Sequence, residues 1–267
     1  MTLLHVVRAR NDASASENKI HHDDVARRYG FGGGLVPGVT VYGYLTWAPA
    51  RRWGVEWLER GTITARFEKP VYDGDLVEVR GVDDGTGLVL TAMARDGVVC
   101  ATGTAGLADG AAVDVAELVT APVPDPADRP PAGPETLAPG TVLGTLARRW
   151  DAADRAQYVD LLGEDLDLYD RLGVAHPGAL IRAANSVLSS SVRLGPWIHV
   201  ASATRLRGLV HDGDVVTTHG RVVDRFERKG HQFVELDVCS VVGDRPVMAV
   251  RHTAIYEPRL VTSSPPP

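Results

Sequence analysis

The pattern of apolar and polar residues divides the chain into two helical stretches and a larger number of strand-like ones. Between Val39 and Leu58 apolar residues recur every three or four positions, which predicts a long helix that bends or restarts at Pro49. A second helix is predicted from about Gly178 to Val192. Elsewhere the pattern is mostly the two-residue alternation of half-buried strands, and glycine in the intervening turns supplies the positive φ that tight hairpins require.

The strand-like stretches follow the two helices in the same order. Four strands come after each helix, and a short apolar segment before each helix adds a leading strand. This arrangement predicts two α+β units built on antiparallel sheets. The predicted strands are Thr2–Val7, Thr62–Pro70, Leu76–Val82, Leu88–Ala94 and Val98–Leu107 in the first half, and Thr141–Ala147, Ile198–Leu209, Val215–Phe226, Gln232–Val242 and Pro246–Tyr256 in the second.

Two short motifs occur twice, in the same order and nearly the same register. The turn Val71-Tyr72-Asp73-Gly74-Asp75 returns 139 residues later as Val210-His211-Asp212-Gly213-Asp214. Upstream, Leu35-Val36-Pro37-Gly38 returns 140 residues later as Ala175-His176-Pro177-Gly178. Two collinear matches indicate duplication of a unit of about 110–140 residues, a typical domain length. We therefore expect a fused pseudo-dimer with one continuous antiparallel sheet and a ligand cleft between its halves.

A proline-rich segment joins the two units. Seven of the twenty residues from 121 to 140 are proline, so this stretch cannot donate enough hydrogen bonds to join the interior of a sheet. We predict an N-terminal domain over residues 1–107, an extended linker over 108–140, a C-terminal domain over 141–259 and a tail over 260–267.

Composition and charge limit the range of functions. The 267 residues are 44% hydrophobic and 23% charged, as in a globular protein, and the net charge of −6 argues against a nucleic-acid partner. Cys100 and Cys239 lie in separate apolar stretches, which is typical of buried thiols in a reducing compartment. Because neither an export signal nor an apolar run of about 18 residues is found, we expect a cytoplasmic protein with no membrane partner. The nine histidines show no metal-ligand spacing, so we expect no metal.

The segment ahead of the first helix carries a recognisable motif. Asn18, His21 and Asp23 are followed by Ala26, by an aromatic and glycine-rich loop over residues 29–34, and by Gly38 at the helix start. This segment resembles the MaoC-like hydratase and dehydratase family, closely over residues 15–45 and elsewhere only in the order of elements. The resemblance agrees with the duplicated pattern in implying a double hotdog fold, in which each half is a curved antiparallel sheet wrapped around a long central helix.

The resemblance implies a hydro-lyase that acts on acyl thioesters, either an enoyl-thioester hydratase or a 3-hydroxyacyl-thioester dehydratase. No separate cofactor is implied, because coenzyme A or phosphopantetheine forms part of the substrate, and the partner is a small-molecule acyl thioester or an acyl carrier protein. Two alternatives stay open: a hotdog thioesterase, and a non-catalytic acyl-binding or subunit-partner protein. Association into a homodimer also stays open.

The family's catalytic histidine corresponds to His21, and the adjacent His22 is a second candidate. A neutral imidazole suits proton transfer near neutral pH, although two histidines at a helix start can equally be a solvated cap. Where the family has its catalytic aspartate, this chain has Ser16. A serine cannot act as a carboxylate base, so Glu17 or another acid, such as Asp12 further back, would have to substitute.

The second half departs from the motif in the complementary way. In the same register it has a carboxylate at Glu164 but Tyr169 in the position of the histidine. Neither half therefore holds the complete pair of residues. We predict that the second half is a structural, non-catalytic partner.

Substrate-binding groups are expected at the start of the first helix. The N–H groups of Gly38 and Val39 have no acceptor within the helix and lie at the positive end of its dipole, so they can form an oxyanion site. Proline followed by glycine is also common at an ordinary helix start. The other predicted binding residues are Asn18, Gly33, Gly34 and Tyr42, the last on a helix whose aromatic residues are more often core than ligand wall.

A phosphate-bearing substrate requires clustered cations in a chain of net negative charge. We expect at least one such group at the mouth of a tunnel that leads to Gly38. The candidate cations are Arg66 and Lys69 before the first Asp-Gly-Asp turn, Arg205 and Arg207 before the second, and Arg51, Arg52, Arg228 and Lys229.

Two further histidines are not expected to bind a ligand. His199 and His252 alternate with apolar strand residues, so they are predicted to face a sheet surface or to occupy a core position where their hydrogen bonds are satisfied.

Overall fold

The computed structural model describes residues 1–94, 96–108 and 115–260. Within them, ten strands pair into one antiparallel sheet. The strands are β1 Thr2–Arg8, β2 Gly61–Phe67, β3 Leu76–Asp83, β4 Leu88–Ala94, β5 Val99–Leu107, β6 Val142–Arg149, β7 Ile198–Leu206, β8 Val215–Arg228, β9 His231–Val242 and β10 Arg245–Glu257. Their order across the sheet is β1-β3-β4-β5-β2-β7-β10-β9-β8-β6.

The sheet has a pseudo-twofold axis at its centre, between β2 and β7. Read outward from this pair, both halves have the same strand order. Thr64 of β2 pairs with Ala203 of β7, and these two residues are counterparts at the 139-residue spacing of the repeat. The predicted continuous antiparallel sheet is confirmed.

Six α-helices accompany the sheet in the described residues: α1 Asp23–Arg28, α2 Gly38–Trp53, α3 Val55–Arg60, α4 Ala152–Leu162, α5 Leu168–Leu172 and α6 Pro177–Ser191. The prediction of one helix over Val39–Leu58 with a bend at Pro49 is wrong. Pro49 lies inside α2, and the break comes at Gly54, whose φ of 59° is outside the right-handed helical region. Gly54 caps α2 by donating its N–H to the Ala50 carbonyl.

The long helices α2 and α6 cross at two glycines. A Cβ on Gly178 would lie only 2.9 Å from the Cα of Gly43, so the space between the two helix backbones at this point leaves no room for a side chain on Gly178. The stretch of α2 from residue 39 to residue 50 is entirely buried, and α2 contacts strands of the first half and β7 of the second. The two halves thus share one core.

The described part of the proline-rich segment runs along the second half. Ala121 and Thr145 exchange hydrogen bonds, Ala132 donates its N–H to the Arg193 carbonyl, and Leu137 is fully buried. Residues 109–114 of the predicted linker, and all of the predicted tail except Leu260, lie outside the described residues. Both cysteines are buried free thiols, as predicted. In the described ranges, no helix combines the length and hydropathy needed to span a bilayer.

Candidate functional site

A cavity of about 250 Å³ lies where the two halves meet, at the start of α2. The first half contributes the turn before α1, the loop into α2 and the end of β2, while the second contributes part of α6 and the start of β7. Polar lining residues are Asn18, His21, Glu68, Lys69, Asn185, His199 and His231, beside Gly38; apolar ones include Phe31, Leu35, Val36, Val41, Phe67, Val71, Trp197, Ile198, Val200 and Ile255. Such walls suit a largely apolar ligand with a few polar groups.

His21 lines this cavity in a defined tautomer. Its Nδ1 lies 2.7 Å from the carbonyl oxygen of Leu35, which only accepts hydrogen bonds, so Nδ1 carries the proton. The lone pair of the neutral ring is therefore on Nε2, which lies 3.4 Å from Nδ2 of Asn18. Burial lowers the pKa of His21 below its ordinary value, opposed in part by the hydrogen bond to Leu35. The ring is thus neutral, and basic at Nε2, near neutral pH.

Asn18 holds the turn that contains His21 against the second half. Its Nδ2 donates to the carbonyl of Trp197 at 2.9 Å, and its Oδ1 accepts from the N–H of Trp197 at 3.2 Å. The same Oδ1 accepts from the N–H of Ile20, which caps the short 3₁₀ turn containing His21. One buried amide therefore positions His21 and joins the two halves at the cavity.

The start of α2 supplies free donors to the cavity wall. Thr40 and Val41 donate their N–H groups to the Pro37 carbonyl, but in the described residues no acceptor bonds the N–H of Gly38 or Val39. Gly38 borders the cavity directly, whereas Val39 is buried outside its lining. An unpartnered N–H at the positive end of a 16-residue helix favours a developing negative charge.

His199 and His252 form a buried chain with Ser202 behind the cavity wall. Oγ of Ser202 lies 2.8 Å from Nε2 of His199 and 3.2 Å from Nδ1 of His252, and the two rings stack at 4.1 Å. Both side chains are buried, which agrees with the predicted core position and not with the alternative, an exposed sheet surface. Each ring nevertheless has one nitrogen without a hydrogen-bond partner among the described residues: Nδ1 of His199 and Nε2 of His252. His199 also lines the cavity.

The acids near the motif are placed differently from what the sequence led us to expect. Glu17 is outside the cavity lining and forms an ion pair with Arg129 at 3.0 Å. Oγ of Ser16 accepts from the N–H of Asn18, so it supports the turn from outside the cavity. Among the described lining residues the carboxylate is that of Glu68, which accepts from Arg66 at 2.7 Å.

Asp12 lies close enough to His21 to raise its pKa, but its charge is already engaged. Its carboxylate pairs with Arg182 at 2.7 Å and accepts from the hydroxyl of Thr40 at 3.2 Å. Arg182 also donates to the Thr40 hydroxyl. The three side chains tie the N-terminal segment to α2 and α6 beside the site.

The structure brings some of the predicted residues together and leaves others apart. Of the predicted cations Lys69 lines the cavity, while Arg66, Arg205 and Arg207 lie outside its lining. Of the predicted binding residues, Asn18 and Gly38 line it. The other predicted binding residues, Gly33, Gly34, Val39 and Tyr42, are outside its lining, as is the second catalytic candidate, His22. Gly34 instead donates its N–H to the Asp23 carboxylate.

The corresponding helix start in the second half is closed. The N–H of Gly178, the repeat counterpart of Gly38, donates to Nδ1 of His176 at 3.0 Å. Glu164 lies 3.5 Å from Nε2 of this histidine, and the ring of Tyr169 lies at 4.4 Å from it. All three side chains are buried, so the donor that is free at Gly38 is occupied here by a protein side chain.

Sequence reasoning did not assign His199, Asn185 and His231 to the site. Their neighbours in sequence carry no motif, and all three come from the second half, on β7, α6 and β9 respectively, so the packing of the two halves brings them to the cavity. No group of histidine, cysteine or carboxylate side chains able to hold a metal ion is found in the described part of the chain.

Comparison with known proteins gives no match in sequence but a clear one in fold. No protein-family model matches the chain, and no curated protein does. RV0216 from Mycobacterium tuberculosis, a conserved hypothetical protein with a double hotdog fold, is similar at a TM-score of 0.63 and 15% identity, over 96% of this chain and 95% of that one.

Dehydratases have the same overall structure. A MaoC-like dehydratase is similar at a TM-score of 0.59 and 13% identity, over 96% of this chain and 97% of that one. The dehydratase domain of PpsC from Mycobacterium tuberculosis, solved in complex with C12:1-CoA, gives a TM-score of 0.59 and 13% identity, over 95% of this chain and 93% of that one. Structures described as thioesterases are similar as well. The chain thus has the double hotdog fold of MaoC-like dehydratases, and the fold leaves the reaction open.

Proposed function

We propose that this protein is an acyl-thioester hydro-lyase, which interconverts enoyl and 3-hydroxyacyl thioesters in the cavity between its halves. One observation carries the proposal: a neutral His21 with its lone pair on Nε2 and the free N–H of Gly38 border the same apolar cavity. These are the base and the oxyanion donor that proton abstraction next to a thioester carbonyl requires.

In the direction of dehydration, His21 transfers the proton and Gly38 stabilises the negative charge on the thioester oxygen. Nε2 of His21 takes a proton from C2 of the 3-hydroxyacyl chain, and the electron pair moves onto the thioester oxygen, where Gly38 donates its N–H. The C2–C3 double bond then forms as the C3–O bond breaks, and the leaving hydroxyl takes the proton back from the His21 imidazolium and departs as water. A single histidine that shuttles one proton in this way requires no carboxylate at Ser16.

The cavity walls and mouth support a thioester substrate. Its apolar lining accommodates an acyl chain, and the ammonium group of Lys69 provides a partner for a phosphate of coenzyme A or of a carrier-bound phosphopantetheine. The PpsC dehydratase structure holds such an acyl-CoA. We infer that the substrate enters from the side of Lys69.

A thioesterase is the second candidate, because the Glu68 carboxylate lines the same cavity as the Gly38 N–H. A carboxylate and helix-start donors can position water on a thioester carbonyl without a histidine. A panel of enoyl, 3-hydroxyacyl and saturated acyl thioesters of coenzyme A separates the two. Loss of absorbance at the conjugated double bond indicates hydration, and release of free thiol indicates hydrolysis.

The decisive variant is His21→Ala, with His22→Ala as the matched control outside the cavity lining. Hydro-lyase activity should fall about 10²–10⁴-fold in His21→Ala, as for loss of a general acid–base group, while circular dichroism stays unchanged. His22→Ala should retain near-parental turnover. Turnover that survives in His21→Ala, or wild-type protein that binds the thioesters without converting any, would exclude the proposed reaction.

A further inference from the structure

The hairpin formed by β8 and β9 is longer than its counterpart in the first half. β8 has 14 residues and β9 has 12, whereas β3 and β4 have 8 and 7. The added length runs beside β10 as far as Glu257, which pairs with Gln232. It places His231, at the end of the hairpin turn, in the lining of the cavity between the halves. The proposed proton transfer makes no use of this extension.

The face of the hairpin toward the cavity carries its cations. Arg228 and His231 pair directly across the turn, so their side chains lie on the same face, and His231 lines the cavity. Glu227 and Gln232 form the next pair, on the opposite face, where the Glu227 carboxylate accepts a hydrogen bond from Gln232. The acidic residue of the hairpin end is therefore directed away from the cavity.

The chain after β10 adds a cation at the same place. Arg259 donates its backbone N–H to Nδ1 of His231 at 3.0 Å, and its side chain lies over Gly230, where a Cβ would come 3.0 Å from Cδ of Arg259. Burial, followed by the charge of Arg259, lowers the pKa of His231. Because Nδ1 accepts, the proton of the neutral ring is on Nε2, which bonds to no acceptor in the described residues. His231 thus offers a free donor beside the guanidinium.

Positive charge at this end of the cavity is not neutralised by the protein. Four exposed cations lie there without an ion-pair partner in the part of the chain that the structure describes: Lys69 of the first half, and Arg228, Lys229 and Arg259 of the second. Glu68, which lines the cavity next to Lys69, is already paired with Arg66. In a protein with a net charge of −6, unpaired cations held close together favour an anionic ligand. The second-half residues Arg228, Lys229, His231 and Arg259 are called the basic wall below.

We propose that the basic wall, together with Lys69, binds the diphosphate and the 3′-phosphate of coenzyme A, so that the substrate is a coenzyme A thioester and not the arm of a carrier protein. This inference rests on the proposed function for its acyl thioester. A carrier-bound phosphopantetheine has a single phosphodiester, for which Lys69 alone is sufficient. The diphosphate and the additional 3′-phosphate of coenzyme A require several cations.

A series of unreactive thioethers tests the proposal on the wild-type protein. The S-butyl derivatives of coenzyme A, dephospho-coenzyme A, phosphopantetheine and pantetheine lose their phosphate groups in steps, and calorimetry gives each Kd. Since one exposed charge contact contributes about 1.5- to 5-fold, the coenzyme A ligand should bind at least about 10-fold tighter than the phosphopantetheine ligand at low salt. The dephospho ligand should lie between them, and high salt should reduce the difference. Equal Kd values for the coenzyme A and phosphopantetheine ligands would overturn the proposal and favour a carrier-bound substrate.

Variants assign the effect to the basic wall. The double variant Arg228→Glu, Arg259→Glu should weaken binding of the coenzyme A ligand about 10-fold or more at low salt and leave the Kd of the pantetheine ligand, which has no phosphate, unchanged. Lys229→Gly removes a charge where a φ of 53° suits glycine, and should weaken the coenzyme A ligand about 1.5- to 5-fold. Arg221→Glu, at an exposed arginine of β8 outside the cavity lining, is the matched control and should bind every ligand as the wild type does.

Two results with the double variant would overturn the proposal. Unchanged binding of the coenzyme A ligand would show that the basic wall contacts no phosphate. An equal loss for the pantetheine ligand would show that the hairpin only maintains the shape of the cavity.

This proposal and the proposed reaction fail in different ways. If no thioester is converted but the phosphate preference is present and is lost in the double variant, the hydro-lyase assignment is wrong and the coenzyme A subsite stands. If thioesters are converted but the ligand series shows no phosphate preference, the reaction stands and the basic wall has no part in binding the substrate.

Discussion

Acid should destabilise this protein through its buried neutral histidines. His252 is fully buried, and desolvation lowers its pKa from the ordinary 6.5 to about 3; His199, stacked on it, is lowered in the same direction. A histidine whose pKa is lower in the folded state binds more protons after unfolding. The stability it supports is therefore present above pH 6.5 and is lost as the pH falls from 6.5 toward the folded pKa.

The size of the effect follows from the unfolded-state pKa. At pH 5 the His252 side chain is still neutral in the folded protein, because its pKa there is about 3, but it is protonated in the unfolded chain. The difference amounts to about 1.5 pH units at about 1.36 kcal/mol per unit, so His252 alone should lower the free energy of unfolding by about 2 kcal/mol between pH 8 and pH 5. His199, whose pKa is lowered by burial and by the adjacent His252, adds to this loss in the same direction. The contribution of His252 is already a substantial part of the typical 5–15 kcal/mol.

Urea unfolding followed by circular dichroism at pH 8 and pH 5 measures this loss. In His252→Phe the loss should be smaller than in the wild type by about 2 kcal/mol, because one titrating group is absent. Val250→Ala, a buried substitution on the same strand without a titratable group, should lower stability equally at both pH values. If His252→Phe shows the full wild-type loss between pH 8 and pH 5, His252 is not a buried neutral histidine and the reasoning fails.

Three other outcomes are expected. Lys69→Glu should raise the KM for acyl-CoA at low salt and lose this effect at high salt as the charges are screened, whereas Arg205→Glu, an exposed cation outside the cavity lining, should leave KM unchanged. Gly178→Ala should cost about 1–3 kcal/mol in urea unfolding, because its Cβ would meet Tyr158 and α2, whereas Gly195→Ala, with open space around the new Cβ, should cost less. Since burial lowers the pKa of His21, hydro-lyase rates should stay constant near pH 7 and fall only below about pH 6.5; a decline beginning above pH 7 would contradict its role as the neutral base.

Much of the fold could be predicted because its determinants are local. Glycine turns and two-residue alternation predict β4 with the observed bounds, Leu88–Ala94, and the repeat predicts the pairing of the halves. The end of α2 was predicted at the wrong residue. Pro49 is accommodated inside the helix, whereas Gly54, at positive φ, ends it.

The site could be predicted only on the side where it follows a sequence motif. His21, Asn18 and Gly38 belong to one such motif and do meet at the cavity. His199 comes from the other half, and its position beside Gly38 depends on the pairing of β2 with β7, for which no local residue pattern gives a signal. Glu17 shows the converse: it is next to Asn18 in sequence, yet its carboxylate extends to Arg129.

The closed helix start at Gly178 has a consequence for how such a chain can change over time. In a symmetric dimer of identical subunits, any substitution appears at both sites, so a histidine that occupies one donor occupies both. Joining the two copies in one chain removes that constraint: His176 fills the donor in one half while the corresponding N–H of Gly38 stays available in the other. One copy is then free to change independently of the other, and the molecule keeps a twofold architecture while its two helix starts differ in their hydrogen bonding.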